Sequence, residues 1–451
     1  MPNKKLVILG AGLAGSLLSI LLAKRGYKVE IYEKRPDMRK KDISAGRSIN
    51  LALSDRGIVS LKKAGNKIKE EVMEQAIPMK GRMIHNESGE TNLQPYSGRE
   101  GEYINSISRS GLNVILMNHA EKMGVNIYFN YKCTGMEWNT GSAIFKNEIN
   151  GKESHIKADV IFGADGAGSA IREEMRKNSQ ELGFSYSQEF LSHGYKELHI
   201  PPTENNNYRI KKNALHIWPR KSFMLIALPN LDGSFTVTLF QSFNGTQGLS
   251  ELEKDNEIAK RFFNEYFPDA VKHMSDFIKD FNENPSSNLA TLKCYPWQVN
   301  GKVLLIGDAA HAMVPFYGQG MNCSFEDCIV LDDLIDKYEG NWEKIFKTFQ
   351  KQRKKDTDAI QDMALENFYE MRDHVAGPIF QKKRELEMKL EKEFPDYSSK
   401  YSLVTFKEDT PYSTAMQKGK AQDEILMNIC RNTKDVSSLD PTEVIKRLKD
   451  L

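Results

Sequence analysis

Apolar positions along this chain follow two periods, and the switch between them comes at once. Residues 6–9 are an unbroken apolar run of strand length. Gly10-Ala11-Gly12-Leu13-Ala14-Gly15 follows, and then Leu17, Leu18, Leu21 and Leu22 keep helical spacing. A second apolar run, residues 29–32, ends on Glu33. The pattern predicts a strand, turn, helix and strand, with an acid about 20 residues beyond the glycines. Gly10 permits the tight turn, Gly12 lets backbone approach a pyrophosphate, and Gly15 lets the helix pack on the strand. The helix N-terminus favours the pyrophosphate charge, and Glu33 can accept both ribose hydroxyls. This is a dinucleotide unit that does not by itself separate NAD from FAD.

Two later segments repeat part of the theme. Residues 159–169 form another apolar strand ending in Gly163, Asp165 and Gly166. Residues 303–306 run into Gly307-Asp308-Ala309-Ala310-His311, then Pro315-Phe316-Tyr317-Gly318-Gln319-Gly320-Met321-Asn322, then a helix-like run from Cys323. An Asp at a strand end can hold a ribose hydroxyl, and a glycine turn admits phosphate or a flat flavin ring where a Cβ would intrude. No second complete βαβ fingerprint is present for a nicotinamide cofactor.

Elsewhere residues 46–54 alternate as an extended segment. Residues 112–123 read as an amphipathic helix and 125–130 as a strand. From 183 the character changes. Residues 195–200, 215–218, 223–228 and 235–240 are short strands broken by Pro, Asn and Gly, and Phe235, Val237 and Leu239 alternate with Thr236 and Thr238, which predicts a sheet with one covered face. Residues 250–284 are mostly helical. After Phe325 a long charged helical region follows, with Ile360, Met363, Ala364, Asn367, Phe368 and Met371 at helical spacing. Asn367 among apolar neighbours is either a core amide satisfied by backbone or a pocket amide facing a ligand. Residues 382–393 read as a solvated helix face, 401–406 as extended, and the tail from 430 as polar and mobile at its end. The fold class is α/β: a Rossmann-type nucleotide domain (residues 1–182, with 76–97 contributing to a substrate site), an inserted antiparallel β-sheet substrate domain (183–288), a return segment (289–330) and a C-terminal helical region (331–451).

Composition narrows the class. The 451 residues exceed one ordinary core, and 40% hydrophobic with 27% charged residues is a globular balance. A net charge of +2 carries no nucleic-acid signal. Cys133, Cys294, Cys323, Cys328 and Cys430 include no C-x-x-C, and no apolar run reaches about 18 residues, so a reduced cytoplasmic protein without a membrane anchor is expected. The nine histidines form no evident triad or metal cluster, and no metal is expected. His311 reads as support for its turn rather than a proton carrier.

The three nucleotide-like segments, in this order, resemble the FAD-dependent aromatic hydroxylases. The strings GRSINLALSDRG (46–57), RMIHNESGE (82–90), SHGYKEL (192–198), LHIWPR (215–220), GDAAHAMVPFYGQGMN (307–322) and YSLVTF (401–406) sharpen this to a resemblance to the kynurenine 3-monooxygenase family, from residue 5 to roughly 415. The resemblance implies tightly bound, non-covalent FAD and NADPH as transient reductant. It implies ring hydroxylation of L-kynurenine with O₂ through a flavin C4a-hydroperoxide, in tryptophan catabolism and pyridine nucleotide biosynthesis, by a monomer or homodimer. It implies Arg82, Tyr96 and Tyr401 around the substrate's amino-acid carboxylate, Asn367 as a further substrate ligand, Met371 and Phe240 as pocket walls, and Pro315, Phe316 and Tyr317 beside the flavin. No protein side chain is singled out as catalytic. For FAD it implies Gly10, Gly12, Leu13, Ala14 and Gly15 at the pyrophosphate, Glu33, Lys34 and Arg35 at the ribose, Ala52 and Arg109 nearby, and Asp308, Gly320, Met321 and Asn322 on the riboflavin side. The charged tail departs from the anchored eukaryotic members and resembles a soluble, bacterial type. A salicylate-type hydroxylase, a non-catalytic nucleotide-fold protein like the GDP dissociation inhibitors, and, on residues 10–33 alone, a nicotinamide dehydrogenase are the competing readings.

Overall fold

A computed structural model describes residues 4–40, 50–138, 140–374 and 377–449. Residues 46–49 of the extended segment expected at 46–54 lie outside the described residues. A six-stranded sheet runs in the order Gln298–Val299, Val303–Leu305, Val160–Gly163, Lys5–Leu9, Lys28–Glu33, Asn126–Phe129. Its neighbours are parallel except at the Gln298–Val299 edge. Parallel strands are covered on both faces, which is why residues 6–9 and 160–162 read as unbroken apolar runs, and all of them are buried. In register, Leu9 stands opposite both Gly163 and Tyr32, and Gly163 opposite Leu305. The turns at 10, 164 and 306 therefore leave three adjacent strands at one edge, with Glu33 ending the next strand along.

The second sheet has seven strands in the order Ser287–Tyr295, Ser185–Ile200, Phe235–Ser242, Phe223–Pro229, Leu215–Arg220, Gly81–His85, Thr91–Pro95. The Gly81–His85 strand is thus part of this sheet, pairing parallel with Leu215–Arg220 so that Leu215 lies opposite Arg82. The strand expected over 195–200 begins ten residues earlier. The sheet is covered on both faces, not one. Phe235, Val237 and Leu239 pack on the helices between Leu249 and Glu283. Thr238 and Phe240 are buried too, because the opposite face lies against the C-terminal helices through Ile84, Ile217, Met224 and Phe240. Each such large apolar side chain contributes roughly 1.5–3 kcal/mol by leaving water.

The C-terminal region departs from its sequence pattern in three places. Residues 401–406 are not extended: Lys400–Thr405 is a helix, capped by the Ser399 hydroxyl accepting from the Ser402 N–H at 3.3 Å. The helix Pro378–Glu393 is not simply solvated. Lys383, Glu387 and Glu391 are buried, Lys383 paired with Asp423 and Glu391 accepting from the Gly98 and Ser399 N–H groups. The tail is docked through its helix Pro441–Lys449, where Val444, Ile445 and Leu448 fall on one face and bury against Leu386 and Leu390, while the end expected to be mobile, residues 450–451, lies outside the described residues. No described helix is long and apolar enough to cross a membrane.

Candidate active site

A cavity of about 760 Å³ runs from the carboxyl edge of the parallel sheet to the inner face of the seven-stranded sheet. At its first end lie Gly10, Gly12, Leu13, Ala14, Glu33, Lys34 and Arg35. Gly10 has φ +97°, open to glycine, and a Cβ there would meet the Ala164 carbonyl oxygen at 2.6 Å. A Cβ on Gly15 would lie 2.1 Å from the Gly10 oxygen, so helix and strand touch backbone to backbone. Beside Gly12 nothing lies within 4 Å of such an atom. Gly12 caps the helix Leu13–Lys24 without any side-chain bond, leaving the first-turn N–H groups aimed at the cavity. Glu33 accepts from the Ala11 N–H at 2.9 Å and from Arg35 at 2.9 Å. Burial works to raise its carboxyl, but these bonds hold it below the usual range, so it is an anion. Asp165 accepts from the Ala170 N–H at 2.7 Å, while its other oxygen is buried with no partner. An open cradle, free helix N–H groups and spare carboxylate lone pairs are the complement of a nucleotide diphosphate with its ribose.

The middle of the cavity is bordered by Ala52, Arg109, Asp308, Gly320 and Met321. The helix Gly320–Lys337 starts here with no side-chain cap, so a second positive helix end faces the same space. The Asp308 turn is fixed from below. Asp327 accepts from the Gly307 N–H at 3.0 Å, from His311 Nε2 at 2.6 Å and from Arg353 Nε at 2.7 Å. Burial tends to raise the Asp327 carboxyl, but His311 and Arg353 hold it below its ordinary value. His311 is therefore a strut of the turn, as its position in the motif suggests. The Cys323 thiol lies near this group too, but Arg353 already supplies the cation that a metal ion would bring. The residues fit a flavin: an open glycine turn, a helix N-terminus and an Asp, all on the cavity wall.

At the far end Arg82 meets three phenols. Its guanidinium carbon is 4.8 Å from the Tyr401 ring centroid and 5.5 Å from that of Tyr96. Tyr96 and Tyr401 stack at 5.3 Å and 11°, and Tyr317 stacks with Tyr401 at 5.7 Å and 18°. Among the described residues no carboxylate lies within ion-pair distance of Arg82. The Tyr96 hydroxyl is buried without a hydrogen-bond partner. Burial pushes the phenols of Tyr96, Tyr317 and Tyr401 upward, so each stays a protonated donor at neutral pH. Phe240 and Phe316 pack at 4.9 Å, and with Met371 they wall the cavity between this cluster and Pro315.

Three residues expected in contact with ligands stand behind the lining. Asn367 donates to the Phe316 carbonyl at 2.6 Å, so it shapes the loop beside the cavity. Asn322 is fully buried, donating to the Ala52 and Gly318 carbonyls at 2.9 Å and accepting from the Ser54 N–H at 3.1 Å. Gly15 packs the helix. Sequence reasoning did not find the apolar wall of Leu215, Met224, Ile226 and Leu228, although its strands were expected. The alternation marks these positions only once the inner face of the sheet is known.

Residues 4–364 match the family described as FAD binding domain. Kynurenine 3-monooxygenase of Myxococcus xanthus is 44% identical over 98% of this chain and 94% of that one. The Dictyostelium discoideum enzyme of the same name is 43% identical over 96% of this chain and 94% of its own. Among solved structures, 2-methyl-3-hydroxypyridine-5-carboxylic acid oxygenase superposes with a TM-score of 0.67 at 19% identity, covering 86% of this chain and 97% of that one. Pseudomonas aeruginosa PqsL in complex with 2-aminobenzoylacetate gives 0.66 at 16% identity, covering 82% and 97%. Those two structures establish the fold. Identity this high, kept from the glycine cradle through to the C-terminal helices, means that the chain belongs to the kynurenine 3-monooxygenase family of FAD-dependent monooxygenases.

Proposed function

We propose that the chain hydroxylates the ring of L-kynurenine beside its amino group, using NADPH and O₂, to give 3-hydroxy-L-kynurenine in tryptophan breakdown toward pyridine nucleotides. The name shared by the full-length relatives supports the reaction. One observation carries the orientation of the substrate: among the described residues Arg82 has no carboxylate in ion-pair range, and it is set against a buried phenol hydroxyl without a hydrogen-bond partner. An amino-acid carboxylate supplies both. The planar fork of Arg82 pairs with its two oxygens, and the O–H groups of Tyr96 and Tyr401 complete the shell. Anchored there, the aromatic ring lies between Phe240, Phe316 and Met371, facing Pro315 and Tyr317.

Gly10, Gly12, Leu13, Ala14, Glu33, Lys34, Arg35, Ala52, Arg109 and Asp308, with Gly320 and Met321, hold FAD in this reading. When bound and reduced by NADPH, FAD supplies the oxygen-transfer chemistry. The protein contributes placement and dryness. The walls at the substrate end are apolar apart from the carboxylate anchor, so water is kept from the reacting ring. Among the described residues the cavity lining contains no histidine. None is needed to activate the ring, because the substrate's own amino group donates electrons to the carbon beside it. The five cysteines, free as thiols, support a reducing cytoplasmic setting, with the protein a monomer or homodimer.

The test is NADPH oxidation with and without L-kynurenine, with the product identified by mass and ring position. Stimulated oxidation yielding the 3-hydroxy product is expected. Equal oxidation in both, or stronger stimulation by salicylate-type acids, refutes the substrate assignment.

A further inference from the structure

We propose that Arg56 is a positioning residue that sets where Tyr401 stands and ties it to the flavin-side turns. The proposal rests on the substrate reading above, in which Tyr401 meets the substrate carboxylate. Tyr401 is the second residue of the six-residue helix Lys400–Thr405. So short a helix has little stability of its own, and its last carbonyls need partners from elsewhere.

One guanidinium provides them. Arg56 Nε donates to the Val404 carbonyl at 2.7 Å. Its two terminal nitrogens reach the carbonyls of Leu403 at 3.4 Å, Lys407 at 3.1 Å, Glu408 at 3.3 Å and, in a shorter contact, Thr410. A cation at the carboxyl end of a helix also opposes its dipole. The Arg56 side chain is 1% exposed, and its guanidinium carbon lies 4.1 Å from the Tyr412 ring centroid. The carbonyls thus close around a flat, five-donor group that a point-charge ammonium cannot imitate.

The same group continues to the flavin side by two routes. Tyr412 donates from its hydroxyl to Gln319 at 3.0 Å, and Gln319 caps the helix Gly320–Lys337 on the cavity wall. Arg56 also pairs with Glu326 at 3.0 Å, Glu326 with Arg353 at 2.5 Å, and Arg353 with Asp327, which holds Gly307 beside Asp308. Arg56 itself lies in the helix Asp55–Ala64, just after the strand that carries Ala52. The Tyr401 helix is therefore docked onto the elements that border the flavin site, and a displaced Arg56 moves the phenol relative to Arg82. Buried ion pairs are weak sources of stability and better suited to fixing one geometry among several.

The experiment compares the parent holoenzyme with Arg56→Lys and Tyr412→Phe. Three quantities are read: FAD content, the L-kynurenine dissociation constant from flavin absorbance, and hydroxylated product per NADPH with released hydrogen peroxide. Arg56→Lys is expected to keep its FAD, to bind kynurenine about tenfold more weakly, and to divert NADPH into peroxide. Tyr412→Phe removes only the hydroxyl link and is expected to shift both quantities in the same direction, the affinity by about threefold. A purely structural role lowers the melting temperature and leaves affinity and product yield at parent values, and that result overturns the proposal. If Arg56→Lys does not fold, parent values in folded Tyr412→Phe overturn it equally. A parent holoenzyme that does not respond to kynurenine refutes the substrate reading itself, and this inference with it.

Discussion

Replacing Arg82 tests the substrate anchor, because affinity should fall while the stability of the free protein holds. The guanidinium lies 4.8 Å from the Tyr401 ring centroid and 5.5 Å from Tyr96, with no carboxylate of the described chain in ion-pair range. A charge-assisted hydrogen bond contributes roughly 1.5–3 kcal/mol, and truncating one side of a buried charged pair costs about 3–5 kcal/mol. Arg82→Met should therefore weaken L-kynurenine binding by about two to three and a half powers of ten. FAD content should not change, because Arg82 sits on the seven-stranded sheet, away from the glycine cradle. In the absence of substrate the variant should melt close to the parent, since the ring contacts of Arg82 with Tyr401 and Tyr96 offset part of the cost of burying its charge. Arg82→Lys keeps the charge but loses the fork and should fall between the two. The assay is a kynurenine titration followed by flavin absorbance, with thermal melts of the free holoenzymes. A dissociation constant within about threefold of the parent, at full flavin content, refutes the anchor; so small a change is under 1 kcal/mol.

Three further outcomes follow from the geometry. Gly15→Ala puts a Cβ 2.1 Å from the Gly10 oxygen, so the helix must lift off the strand; overpacking of this kind costs about 1–3 kcal/mol, and a pale protein with weakened FAD binding is expected, read from flavin absorbance after gel filtration. Tyr96→Phe and Tyr401→Phe should leave the tyrosinate difference spectrum below pH 10 unchanged, because burial holds both phenols above the ordinary value of 10.0; loss of signal below that pH contradicts the buried cluster. The Asp55 carboxyl is pushed up to about 6 by burial and then by Glu408 and Glu102, with Lys407 opposing. A raised carboxyl lends stability that is full below its unfolded value, ordinarily 3.8, and lost as pH rises through about 6, so Asp55→Asn should gain in melting temperature over the parent between those values and hold the gain above them.

How much of this was legible in the sequence depends on the range of the interaction that decides each residue. The turns at Gly10, Gly163 and Gly307 were legible because each follows an apolar run and uses local backbone chemistry. Their meeting at one edge was not, because it depends on Leu9, Gly163 and Leu305 sharing a register across nearly 300 residues of chain. Residues 401–406 are apolar and β-branched enough to suggest a strand. They form a helix because Ser399 caps one end and Arg56, 348 residues before Val404, collects the carbonyls at the other. Thr238 looked like a solvent position by alternation, but the C-terminal helices cover that face. For Asn367 spacing left two readings open, and its 2.6 Å bond to the Phe316 carbonyl favours the amide satisfied by backbone, set behind the cavity lining.

The string LHIWPR lies outside the flavin core, yet its strand helps to set the far end of the cavity. Within the strand Leu215–Arg220, Leu215 reaches the cavity and Ile217 the cluster beside it, while His216 and Trp218 point to the other face. His216 Nε2 faces the Lys211 carbonyl at 2.8 Å and so must carry a proton. Burial holds His216 at about 4, so the ring is neutral and its Nδ1 is a lone pair that accepts from His85 Nε2 at 2.8 Å. His85 Nδ1 in turn faces Asp269 at 3.1 Å, and Asp269 also accepts from the Trp218 indole at 2.7 Å. His85 thus bridges His216 and Asp269 while stacking on Trp218 at 3.9 Å. His85 lies three residues beyond Arg82 on the Gly81–His85 strand. A slip of one residue between the two strands would break this chain of donors and turn Arg82 away from the cavity. The histidine, indole and carboxylate therefore lock the strand register that points Arg82 into the cavity, a task that needs neither flavin nor substrate contact.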